Sequence, residues 1–125
     1  MLPEHFIPDI ESLGKRFNNP NLLAQVTAAI KQGRALPICS DDALFIVKPI
    51  HDDFSRPGIL VWIGIHKAHG VGKYFQVALS MAKASNMAFI RFETKREGFV
   101  KLSARYGYTR IGQRGDYTVY QKEVR

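Results

Sequence analysis

Hydrophobic and polar positions change period several times along this chain, and each change marks an element. Ile10, Leu13 and Phe17 recur at helical spacing behind Pro8, with Asp9 and Glu11 early and Lys15 and Arg16 late, the charge order a helix dipole favours. Leu22, Leu23, Val26 and Ile30 form a second apolar stripe; Asn19-Pro20 reads as its cap and first turn and Gly33 as its stop. A short edge strand over 36–38, containing Pro37, and a strand over 43–48 follow, both expected to be antiparallel. Residues 49–57 read as a loop, with turn formers at both ends.

The run 58–65 is short, β-branched and uncharged, as expected of a strand buried on both faces. Apolar or aromatic residues at 71, 74, 75, 78, 79 and 82 then restore the helical period. Residues 88–93 alternate as a strand parallel to 58–65, which a crossover helix requires. A second crossover helix is expected over 96–106, closed by Gly107. The chain finishes as a hairpin, 108–111 against 117–123 across a turn at 112–116. The order predicts one α/β domain spanning 1–125, a mixed sheet with two N-terminal helices, two crossover helices and a C-terminal antiparallel hairpin.

Candidate chemistry gathers between the apolar run and its helix, at His66-Lys67-Ala68-His69-Gly70-Val71-Gly72-Lys73. Strand, glycine-rich turn and helix in that order can cradle a phosphate, because the first helical amides lack internal partners and the glycines let an anion approach the backbone. A plain tight turn is the competing reading. Tyr74 after the Lys rules out a Walker loop, and His66 and His69 lack the further ligands of a zinc site.

Composition narrows the partners. At 125 residues the chain can bury a sizeable core unaided. Cys39 is alone, which excludes an internal disulfide and suits a reducing compartment. No apolar run approaches the roughly 20 residues of a membrane span, so a soluble, cytoplasmic protein is expected. A formal charge of +7 favours an anionic partner. Lys95, Arg96, Lys101, Arg105, Arg110 and Arg114 would serve a nucleic-acid surface, although scattered cations usually form a solvated face.

The order of elements resembles the GNAT family of N-acetyltransferases. Lys67-Ala68-His69-Gly70-Val71-Gly72 is similar to that family's cofactor-binding turn, with Lys in its first place, and Tyr106-Gly107-Tyr108 to the end of its last helix. The resemblance implies an N-acyltransferase that moves an acetyl group from acetyl-CoA to an amine acceptor. It implies pantetheine along the backbone of Trp62, Ile63 and Gly64, and diphosphate on Lys67, His69, Gly70, Val71, Gly72 and Lys73. The family's usual Tyr acid is matched in position by Ser103, with Tyr106 one turn away. The usual strand Glu has no counterpart in 59–65, which leaves water or one of Glu93, Asp52 and Asp53 as the base, although Asp52-Asp53 reads first as a polar turn. These departures resemble reduced, phage-encoded members, in which the fold can serve modification or assembly. Two alternatives therefore stand beside the enzyme: a catalytically silent binding or structural protein, for example virion-associated, and a basic nucleic-acid-binding domain. The sequence leaves open the acceptor and the oligomeric state, a homodimer included.

Overall fold

The computed structural model describes residues 2–39, 43–66, 72–94, 101 and 104–124, with the backbone alone at His66 and at 72–74. A 3-10 turn, Glu4–Phe6, leads into helix α1 (Ile7–Arg16) and α2 (Leu22–Lys31). Strands β1 (Leu36–Cys39), β2 (Ala43–His51) and β3 (Pro57–His66) precede helix α3 (Gly72–Ala84), and β4 (Phe89–Thr94), β5 (Thr109–Arg114) and β6 (Tyr117–Glu123) complete one sheet in the order β1-β2-β3-β4-β6-β5. Among the described residues only β3 and β4 pair in parallel, the pair joined through α3.

Helices cover both faces of the sheet. Phe6, Ile10, Leu22, Val26 and Ala29 pack with Leu44, Ile46 and Ile63 on one face. On the other, Ala78 and Ala82 of α3 pack with Val47, Ile59, Ile90, Phe92, Tyr108 and Tyr120. Small residues on α3 let the helix lie close to the sheet, and Phe75 fills the space at its upper end against the rings of Phe92, Tyr106 and Tyr108, at centroid distances of 5.8, 4.8 and 5.1 Å.

Several boundaries differ from the sequence reading. Asn19-Pro20 belongs to the turn before α2: the Asn19 side chain accepts from the Asn21 amide at 3.2 Å and the helix proper starts at Leu22. The loop expected over 49–57 shrinks to 52–56, because β2 runs to His51 and β3 starts at Pro57. Pro49 is tolerated there because β1 pairs with β2 only as far as Val47, leaving a free edge that asks no donor of it. The hairpin turn is the tighter Gly115-Asp116, with Gly115 at φ +60° and Arg114 opposite Tyr117. Gly107, at φ +85°, ends a helical stretch at 104–105, and the Lys122 ammonium donates to the Tyr106 carbonyl at 2.8 Å. The rest of the proposed helix over 96–106 lies outside the described residues, apart from Lys101, which is helical.

Candidate functional site

The centre of the sheet holds two linked irregularities. Ile46 pairs with Ile63 and Val47 with Val61, so Trp62 is an extra residue in β3, a bulge. A bulge reverses the alternation of faces. Ile59 and Val61 turn toward α3, whereas Trp62, Ile63 and Ile65 all pack toward α1 and α2. At the same level the parallel ladder stops: β3 and β4 pair from Gly58–Phe89 to Val61–Phe92 and no further, although β3 continues to His66 and β4 to Thr94. Beyond Val61 and Phe92 the facing edges carry backbone groups outside the β3–β4 ladder.

A cleft of about 300 Å³ opens at this point on the α1–α2 face. The run 58–65 is therefore not buried throughout as expected: Leu60 and Trp62 are half-buried in the cleft wall, because α1 and α2 cover β1 to β3 but leave the β4 side open. Phe17, at the end of α1, and Tyr117, on β6, approach edge to face at 6.2 Å and close one flank.

Among the described residues, three charged side chains line the cleft. Arg114 Nε donates to both carboxylate oxygens of Glu93, at 3.1 and 2.9 Å, and its Nη2 donates to Oε2 as well. The contact with Glu93 raises the affinity of Arg114 for its proton. Lys48 reaches in from β2, with Nζ 3.5 Å from the centroid of the Trp62 ring. Its pKa is lowered, first by loss of water around the ammonium, then by repulsion from Arg34 and Arg114, with Glu93 opposing.

The sequence candidates divide around the sheet. Trp62, Ile63 and Glu93 come together in the cleft, with Gly64 next along β3 and exposed. Tyr106 lies on the opposite face, stacked on Phe75, so it and Glu93 flank the open end of the sheet from two sides. Gly72 and Lys73 form the first residues of α3. Ser103, Lys67, His69, Gly70 and Val71 lie outside the described residues.

Asp52 does not face the cleft. Its carboxylate accepts from the amides of Phe54 and Arg56 and from Arg56 Nε at 2.7 Å, and Arg56 also donates to Glu123 at 2.5 Å. That network staples the 52–56 turn at the Pro57 end of β3, where the ladder is intact, so neither Asp52 nor its neighbour Asp53 can act as a base at the splayed end. The sequence does not point to Lys48, Phe17 or Tyr117 as site residues, and it offers Arg114 only as part of a basic surface. Lys48 had left one signal, a cation ending an otherwise apolar strand.

No protein-family model matches the sequence, and no curated protein does. Solved structures do match in fold. A GNAT-family acetyltransferase from Listeria monocytogenes superposes with a TM-score of 0.67 at 15% identity, over 96% of this chain and 86% of its own. The PaiA N-acetyltransferase from Thermoplasma acidophilum, solved with coenzyme A, gives 0.58 at 15% identity over 98% and 80%. AtaTR bound to acetyl-coenzyme A gives 0.60 at 9% identity over 83% and 76%. The fold of this chain is that of the GNAT acetyltransferases, as the sequence resemblance implied.

Proposed function

We propose that this chain is an acyl-CoA dependent N-acyltransferase, moving an acetyl group to an amine bound in the cleft. One observation carries the reading: the β3–β4 ladder ends at Val61–Phe92, at the level of the bulge at Trp62. Strands that part while both continue offer backbone donors and acceptors to an extended amide-bearing chain, which the pantetheine arm is. Trp62, Ile63 and Gly64 would hold that arm, and the first turn of α3, from Gly72 and Lys73, would face the diphosphate with its unpaired amides. Two of the similar structures hold coenzyme A or acetyl-CoA, which supports the same cofactor here.

When bound, the cofactor supplies an acetyl thioester. This chain's own contribution is mainly position and polarity. Backbone donors of β3 beyond Val61, outside the β3–β4 ladder, would stabilise a thioester carbonyl as it gains negative charge during attack. The cleft would hold the acceptor amine on the α1–α2 side, with its nitrogen directed at the opening between β3 and β4. The amine loses its surplus proton to water, because both oxygens of Glu93 are already held by Arg114. Tyr106, on the α3 side, or Ser103 would protonate the departing thiolate.

The same Glu93–Arg114 contact favours a second reading, a cofactor-binding scaffold without turnover, because it occupies the cleft's one carboxylate among the described residues. Release of free thiol from acetyl-CoA over a panel of amines separates the two. Acceleration by any amine above the protein-free rate supports the enzyme; tight cofactor binding with no acceleration by any of them supports the scaffold.

A further inference from the structure

We infer that the cleft selects a small amine that also carries an anionic group and an apolar body, with the anion seated on Lys48 and the body against Trp62, Leu60 and Leu22. The inference rests on the acyl-transfer reading and names its acceptor class.

Charge in the cleft does not cancel. Glu93 and Arg114 neutralise each other through a shared set of hydrogen bonds, which leaves Lys48. Among the described residues no carboxylate lies within ion-pair distance of its ammonium, which rests instead on the face of Trp62. Arg34, whose Nε donates to the neutral Gln32 side chain, adds to the positive field around it. An ammonium with part of its water removed and cations nearby gains most from an anion. For the same reason a polycationic acceptor is repelled: a second or third ammonium would face Lys48 across apolar walls. Apart from Asn19 the remaining lining is aliphatic and aromatic, and about 300 Å³ is the low end of the range for small-ligand sites.

The preference is measurable because one functional group can be changed at a time. Thiol release by the full chain is followed with leucine or phenylalanine, with the matching amino-acid amide, with an aminoalkyl phosphate and with spermidine. The amino acid or the phosphate should exceed the amide in kcat/KM by roughly 10- to 100-fold, the weight of one hydrogen bond to a charged group, and spermidine should be the poorest. Which anion leads identifies the group as carboxylate or phosphate. Lys48→Met should abolish the difference between acid and amide mainly through KM, and Lys48→Glu should reverse it.

Equal use of acid and amide, a preference for spermidine, or an equal loss on both in Lys48→Met overturns the inference while leaving the acyltransferase in place. Cofactor binding, read as a melting shift, without turnover of any acceptor also overturns it. No melting shift with acetyl-CoA removes the acyl-transfer reading and this inference with it.

Discussion

Arg114 holds Glu93 through both carboxylate oxygens, from β5 to β4 across the intervening β6. Glu93 is mostly shielded, with 17% of its side chain exposed, whereas Arg114 is 71% exposed. The pair therefore closes the outer side of the cleft more than it supplies a free base. Loss of a true general base costs roughly 100-fold or more. Glu93→Gln should lower kcat by less than that, and kcat/KM should keep rising with pH as the acceptor loses its proton. A larger loss, with a low-pH limb that vanishes in the variant, would make Glu93 the base.

Gly58 makes room for Phe89. A Cβ on Gly58 would come within 2.3 Å of the Phe89 ring, which is fully buried and flanked by the guanidinium groups of Arg56 and Arg91 at 5.7 and 5.1 Å. Gly58→Ala should cost about 1–3 kcal/mol, as overpacking does, and Phe89→Leu in that background should return part of it. Urea midpoints measure both, and an unchanged midpoint in the single variant would contradict the packing.

The Asp52–Arg56–Glu123 network should appear as acid sensitivity. Burial pushes the Asp52 carboxyl up, but the amide and guanidinium donors of Arg56 outweigh it and bring it below the usual value of 3.8; the hydrogen bond from Arg56 lowers Glu123 in the same way. A carboxylate with a depressed folded pKa stabilises the protein above its unfolded pKa, and that contribution is lost as pH falls through the folded value. Melting temperature should thus fall below about pH 4, and Asp52→Asn should flatten the fall. An equal slope in the variant would place the acid sensitivity elsewhere.

Much of the fold was legible because its signals are local. The apolar period of α1 and α2, the uncharged run of β3 and the glycine at 107 each announce an element within a few residues. The bulge at Trp62 left no such mark, since its cause is the register between β2 and β3 and nothing in 58–65 distinguishes an extra residue. The cleft was hidden for a related reason: Lys48, Trp62, Glu93 and Arg114 lie on four strands and meet only when the chain is folded. Asp52 was legible as a turn former, since two adjacent acids between turn residues read first as a polar turn, and its bonds to Arg56 make it one.

Gly72 separates binding from folding. It begins α3, where a carboxylate is welcome to the helix dipole yet repels a diphosphate. Gly72→Asp should weaken acetyl-CoA binding by at least about tenfold while changing stability by less than about 1 kcal/mol. Early melting with full cofactor affinity would assign the glycine to packing alone.

The central claim is that the opening between β3 and β4 receives an acyl-CoA, and thermal melting with and without acetyl-CoA tests it most directly. A ligand at about 100 times its dissociation constant adds roughly 2.7 kcal/mol to unfolding, which for a domain of this size raises the melting temperature on the order of 10 °C. The account predicts that rise, and a smaller one in Gly72→Asp at equal cofactor. An unchanged melting temperature at millimolar acetyl-CoA would contradict it.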